Sequence, residues 1–167
     1  MMSKYDDPVL YYQDQIDLWE SELQQETDDA KRDVCIQLRD EAAAMNARYQ
    51  RIQYKFLEQG VGLTLKSRSA YCVVLEDAAE PGRYRYQVFN ESGFIGHLTR
   101  DTAEEVLLEA FRDGFRDIAS GDVLAEFCGT AEWERGTLVN DLVRRVNQGE
   151  LSHKDAGELY EREALSA

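Results

Sequence analysis

Apolar residues at helical spacing occupy the first sixty positions of this chain, and they constrain its fold more than any other feature. Residues three and four apart lie on one side of a helix, so a repeated 3/4 spacing predicts a helix whose apolar seam needs a partner. The first run, spaced 3, 4, 3, 4, comprises Val9, Tyr12, Ile16, Trp19 and Leu23. The second run, spaced 4, 4, 3, 4, 3, 4, comprises Val34, Leu38, Ala42, Met45, Tyr49, Ile52 and Phe56.

The outer ends of these two runs carry ordinary start and stop signals. Asp7 followed by Pro8 combines an N-cap residue with a proline at the first helical position, and Gly60 is a typical C-terminal stop. The ten residues that separate the runs, QQETDDAKRD, are almost entirely polar. We therefore predict an antiparallel helical hairpin over about residues 8–25 and 28–59.

The connection of the hairpin is predicted near Thr27. Asp28 and Asp29 then lie in the first turn of the second helix, where the helix dipole favours carboxylates. No glycine or proline interrupts this region, so a single helix of about fifty residues is the alternative. Such a helix needs a second chain to cover its seam and predicts a dimeric coiled coil. The hairpin, and with it a monomer, is favoured because isolated long helices are rare in globular domains.

The pattern changes from residue 61 onward to short segments rich in β-branched and aromatic residues. These segments, separated by turn signals, read GLTLKSR, SAYCVVLED, RYRYQVF and FIGHLT. They predict a small antiparallel sheet of three to four strands. The turn NESG joins the last two segments, and Gly93 fits the left-handed position of a three-residue hairpin loop.

The register of that hairpin decides which side chains face the core. If Asn90 pairs with Phe94, one side carries Tyr84, Tyr86, Val88, Phe94, Gly96 and Leu98, and we expect this side to face the core. The other side then reads polar and carries Arg85, Gln87, Phe89, Ile95, His97 and Thr99.

Helical patterns return after the sheet. Thr102 and Glu105 form a capping box before an apolar run, and Gly114 ends that helix. Further helices are predicted near residues 122–128, 130–147 and 152–165. The predicted class is α+β, with a helical hairpin in residues 1–60 and an antiparallel sheet plus helices in residues 61–167, forming one compact unit.

Negative charge is concentrated at the two ends of the chain. The net charge is -14, with nine acids and one base in residues 1–30 and sixteen acids and seven bases in residues 101–167. The middle of the chain is nearly neutral. An acidic field repels phosphates, so we expect no direct binding of nucleic acid, whereas the same field attracts a basic protein surface.

Motifs for catalysis, metals or cofactors are absent from the sequence. It has no C-x-x-C, H-x-x-x-H or H-E-x-x-H spacing, no calcium loop and no glycine-rich nucleotide motif. We predict no catalytic residue, no metal and no cofactor. The alternative is a cryptic enzyme in which His97 activates Cys72 as nucleophile.

The acids themselves are the candidate binding residues, because they are spaced as rows on predicted helices. Neighbours three or four apart lie roughly 5–6 Å from each other, close to the spacing of phosphates along one nucleic-acid strand. The first row, including the hairpin tip, comprises Asp14, Asp17, Glu20, Asp28 and Asp29. The second comprises Glu104, Glu105, Glu109 and Asp113.

The expected location is the cytoplasm. No signal peptide is recognisable, and no apolar run approaches the roughly 20 residues that span a bilayer. The three cysteines, Cys35, Cys72 and Cys128, are odd in number and widely separated, which fits free thiols in a reducing compartment.

In size, charge and lack of catalytic motifs the chain resembles the small acidic α+β proteins that phages and plasmids carry against host defence, as anti-CRISPR or anti-restriction proteins. The resemblance implies a non-enzymatic inhibitor that occupies the basic groove of a nucleic-acid-handling defence complex, in some cases as a nucleic-acid mimic. It transfers no functional residues. An adaptor that dimerises through its N-terminal helices is the alternative function.

Overall fold

The computed structural model describes residues 7–164, which form an α+β fold. The helices are α1 (Pro8–Gln25), α2 (Asp29–Gln59), α3 (Ala103–Arg112), α4 (Val123–Phe127), α5 (Ala131–Asn147) and α6 (His153–Ala164). The strands are β1 (Thr64–Lys66), β2 (Tyr71–Glu76), β3 (Tyr84–Asn90), β4 (Gly93–Arg100) and β5 (Asp117–Ile118). The predicted class and the order of its parts are confirmed.

The two N-terminal helices form a hairpin and not one continuous helix. The chain leaves helical geometry at Glu26, whose backbone is extended, and Asp28 caps α2 by accepting from the Lys31 N–H at 3.1 Å. The Glu26 carboxylate accepts from the N–H groups of Asp28 and Thr27, both at 2.9 Å, and these bonds lower the pKa of Glu26. Arg32 closes the turn by donating to the carbonyl oxygens of Leu23 and Glu26, both at 3.0 Å.

The sheet has five antiparallel strands in the order β4-β3-β2-β1-β5, where three to four were predicted. The additional strand, β5, has two residues and pairs with β1 through Leu65–Ile118 and Lys66–Asp117. A strand this short has no alternation of its own to detect. It forms because the chain leaving α3 is brought back beside β1, so only the tertiary structure reveals it.

The predicted register of the β3–β4 hairpin is wrong by one residue at the turn. Asn90 pairs with Gly93 and Phe89 pairs with Phe94, so the loop has two residues. Ile95 forms a β-bulge and has no partner on β3. On the far side of the bulge from the turn, Val88 pairs with Gly96, as predicted. Because of the bulge, Phe94 lies on the same side of the sheet as Phe89, and their ring centroids are 6.4 Å apart.

Both sides of the sheet are covered by helices. One side packs with α2 and α3 around Tyr49, Ile52, Cys72, Tyr86 and Phe111. The other side, predicted to be polar, carries a second apolar cluster formed by Val73, Phe89, Val123 and Trp133. The prediction was wrong because Phe89 stands among polar residues in the alternation, and its partners come from α4 and α5, which are distant in sequence.

The C-terminal helices begin and end close to their predicted positions. Thr102 and Glu105 form the predicted capping box of α3, and Thr130 caps α5. Ser152 accepts from the N–H of Asp155 at the start of α6. The predicted end of α6 at residue 165 lies outside the described residues. Within residues 7–164, no helix is both long enough and apolar enough to cross a membrane.

Candidate functional site

The distal half of the α1–α2 hairpin, residues 13–44, lies outside both apolar clusters, and we call it the arm. Val9 and Tyr12 near the start of α1 pack against the same cluster as Tyr49 in the second half of α2, so the two helices are antiparallel. Beyond them, the buried residues of the arm are Cys35 and Ala42, which belong to neither cluster. The arm is therefore held together mainly by contacts between its own two helices.

The arm is strongly acidic. Residues 7–29 contain eight acids and no lysine or arginine, and residues 13–44 contain ten acids and three bases. The three bases are held within the arm, since Lys31 pairs with Glu26 at 3.9 Å, Arg39 pairs with Asp40 at 2.7 Å, and Arg32 closes the turn. The remaining acids give this surface a net negative field.

The predicted acidic row of α1 is displayed on this arm. Asp17 and Glu20 are exposed, and Asp14 is half-buried. Asp17 accepts a hydrogen bond from the side chain of Gln13 at 2.9 Å, which orients its carboxylate without neutralising it. Asp28 and Asp29 are exposed at the tip, where Asp28 also serves as the cap of α2.

The predicted row on α3 is largely engaged inside the molecule. Glu105 completes the capping box, and Glu109 lies 3.7 Å from both Arg100 and Arg112. Asp113 accepts a hydrogen bond from the hydroxyl of Tyr86. Glu104 is the exposed acid at the start of this helix.

The tip of the arm lies far from the acidic row of α3. The tip at Asp28 precedes Tyr49 by 21 residues of α2, which corresponds to roughly 30 Å of helix. Tyr49 is the residue of α2 whose ring packs on Phe111 of α3, with centroids 4.8 Å apart. The structure thus separates the tip of the arm from α3, and the arm is the candidate binding surface.

The proposed pairing of Cys72 with His97 is wrong. Cys72 is fully buried with Tyr86 on the side of the sheet that α2 and α3 cover, and burial raises the pKa of its thiol. His97 is exposed on the edge strand opposite Gln87, one residue along from the Val88 that pairs with Cys72. Successive residues of a strand point to opposite sides, so the thiol and the imidazole lie on opposite sides of the sheet.

The described part of the chain offers no metal site and has an apolar groove between its C-terminal helices. Across residues 7–164, no set of three or more histidine, cysteine or acidic side chains is placed to hold a metal ion. An apolar groove of about 270 Å³ lies between α5 and α6 and is bordered by Val139, Val143 and Tyr160, with His153 as its one ionisable lining residue besides that tyrosine.

Comparison of the chain with protein-family models, with curated proteins and with solved structures finds no significant match. The surface that the fold presents is therefore the basis on which a function can be proposed.

The feature that sequence reasoning missed is the exposure of apolar residues on the arm. Val34 and Leu38 belong to the predicted seam, yet Val34 is 54% exposed and Leu38 is half-buried. The sequence carried no signal for this exposure, because the run keeps the same 3/4 spacing on the arm and beside the core.

Proposed function

We propose that this protein is a non-enzymatic binding protein, carried by a mobile element, that inhibits a host nucleic-acid-handling defence complex in the cytoplasm. It docks its acidic arm in a basic groove of that complex and blocks the access of nucleic acid. The observation that carries this proposal is the charge of the arm, with ten acids and three bases over residues 13–44.

The arrangement of the arm supports docking by a rigid element. Its turn is fixed by the hydrogen bonds of Glu26 and Arg32, so the acids at the tip are held in place before a partner arrives. Preorganisation of this kind lowers the entropy lost on binding. Charge complementarity then accelerates association with a basic groove and disfavours association with nucleic acid.

A dimerising adaptor is less well supported by the same surface. Two arms brought side by side would place like charges together, and like-charge contacts oppose association. In the hairpin, α1 is itself the partner helix of α2, which weakens the coiled-coil argument for a dimer.

The test starts with capture of partners from a nuclease-treated bacterial lysate, followed by binding measurements on the purified partner. We expect association to slow when Asp14→Asn, Asp17→Asn and Glu20→Gln are combined, and affinity to fall as salt rises, because screening shortens to about 3 Å at 1 M. Nucleic acid should compete with this protein for the partner.

A matched control changes the same amount of charge away from the arm. Glu134→Gln, Glu158→Gln and Glu161→Gln remove three exposed acids from α5 and α6, and this variant should retain association. A partner that binds this protein and nucleic acid simultaneously, with an affinity indifferent to salt and to the arm variant, would overturn the proposal.

A further inference from the structure

An apolar stripe on α2 continues past the point where the core ends. Ile52, Met45 and Leu38 are seven residues apart and Val34 lies one turn further, so all four occupy one side of the helix. Their exposure increases along the stripe: Ile52 is 1% exposed in the core cluster, Met45 packs at its margin, Leu38 is half-buried and Val34 is 54% exposed. The same side of the helix that the core covers is therefore uncovered on the arm.

Helix α1 supplies a matching stripe. Tyr12 packs at the margin of the core cluster, and Trp19 follows seven residues later on the same side of the helix. Trp19 is half-buried, as are its neighbours Ile16 and Leu23. Because the helices are antiparallel, the two stripes run together from the margin of the core toward the tip.

Acidic residues border this apolar surface. Glu41 follows Leu38 by three residues, Glu22 follows Trp19 by three, and both are exposed. Two exposed bases have the same spacing: Lys31, which pairs with Glu26, precedes Val34, and Arg48 follows Met45 at the end nearest the core. Over the arm as a whole, ten acids outnumber three bases. An occupant must therefore offer apolar side chains in the middle and positive charge at its edges. A second copy of the arm offers the wrong charge, and so does an anionic membrane.

We infer that the arm binds an amphipathic helix that belongs to the partner and has an apolar face flanked by lysine and arginine. This inference rests on the proposed function. The stripe from Val34 to Met45 comprises 12 residues, and its ends are roughly 17 Å apart along the helix, which matches about three turns of a bound helix. Apolar side chains of that helix cover Val34, Leu38 and Trp19, and its basic residues pair with Glu22 and Glu41. This is the helix-in-groove mode of recognition.

The probe is a labelled synthetic peptide of about five turns, with leucines at helical 3/4 spacing and lysine and arginine on both flanks. Its control has the same charges with serine at every leucine position. We expect the full chain to bind the leucine peptide and to bind the serine peptide much more weakly, as measured by fluorescence anisotropy. Equal binding of both peptides, or no binding of the leucine peptide, overturns the inference.

Variants of the protein locate the site. Val34→Gln keeps every charge and should weaken binding of the leucine peptide by about fivefold, because a half-exposed valine can no longer be covered by apolar groups. Val61→Gln is the matched control, since Val61 lies outside the arm with a similar exposure, 45%, and should leave binding unchanged. Circular dichroism should show unchanged helix content in both.

The outcomes separate this inference from the proposed function. If Val34→Gln has no effect while the Asp14, Asp17 and Glu20 variant still slows association with the captured partner, the apolar stripe is not the site and the electrostatic proposal survives. If light scattering shows a dimer that Val34→Gln dissociates, a second copy covers the stripe and the inference is overturned. Leucine-selective binding that is lost with Val34→Gln and that weakens with Glu22→Gln and Glu41→Gln supports it.

Discussion

At the scale of single residues, Gly136 shows how closely α5 approaches the β3–β4 turn. A Cβ atom added at Gly136 would lie 1.6 Å from the carbonyl oxygen of Ser92, which is backbone and cannot rotate away. The contact is reinforced nearby, where Ser92 Oγ lies 3.0 Å from Glu132 and the Asn140 amide donates to the Phe94 carbonyl at 2.7 Å. Glycine is needed here for close approach and not for an unusual backbone conformation.

Gly136→Ala should lower the free energy of unfolding by about 1–3 kcal/mol, because α5 must move away from the turn and overpacking has costs of this size. Gly157→Ala is the control, since Gly157 also lies within a helix but a Cβ added there would have no neighbour within 4 Å. That change should raise stability by up to about 1 kcal/mol through helix propensity. Urea denaturation of both variants measures these changes in the free energy of unfolding. An unchanged or increased stability of Gly136→Ala would contradict the packing argument.

At the scale of secondary-structure elements, α3 and the arm differ in how they are anchored. Six of the ten residues of α3 are buried, including Val106 and Phe111 in the main core cluster. The buried residues of the arm, Cys35 and Ala42, belong to neither core cluster. Local opening is easiest where few buried contacts hold an element to the rest of the fold.

Loss of the N-cap should therefore have different consequences in the two elements. Thr102→Ala at α3 should lower global stability by about 0.5–2 kcal/mol. Asp28→Ala at α2 should instead accelerate amide hydrogen exchange over residues 13–44 and leave the global unfolding midpoint nearly unchanged. Exchange measured by mass spectrometry, beside urea unfolding, separates the two effects. Equal loss of global stability in both variants would show that the arm unfolds with the core.

At the scale of the whole molecule, three groups that ionise in alkali are buried in or beside one core. Burial raises the pKa of Tyr49 to about 12 from an ordinary value of 10.0. Burial also raises the pKa of Cys72, and burial together with the hydrogen bond to Asp113 raises that of Tyr86. In all three cases the folded state favours the protonated form.

Stability should consequently fall in alkali. The stabilisation that Tyr49 contributes is fully present below pH 10.0, the ordinary pKa of a tyrosine, and is lost as the pH rises toward about 12. The reason is that the tyrosine of the unfolded chain releases its proton at a lower pH than that of the folded chain. Tyr49→Phe should reduce the loss of unfolding free energy between about pH 8 and 11 by about 1 kcal/mol. Tyr54→Phe, at a residue that is 65% exposed, is the control and should leave that loss unchanged. Identical pH profiles for wild type and Tyr49→Phe would contradict the assignment.

The sequence by itself determined the elements whose signals are local. Spacing and caps predicted α1, α2, α3 and the C-terminal helices, because helix periodicity, an N-cap such as Asp7 and a stop such as Gly60 act through neighbours along the chain. The sequence also determined the acidic character of the arm, because the acids of these two helices are close together along the chain and stay together in any fold.

Tertiary structure decided what depends on distant partners. The strand β5 exists because β1 lies beside it, and Phe89 is buried because Trp133 and Val123 arrive from helices more than thirty residues away. Strand pairing places Cys72 and His97 on opposite sides of the sheet. Two acids of the α3 row are engaged within the molecule, because Asp113 accepts a hydrogen bond from Tyr86 and Glu109 pairs with Arg100 and Arg112. The exposure of Val34 is of the same kind: periodicity assigns a residue to one side of a helix, but only packing determines how far along that helix the core extends.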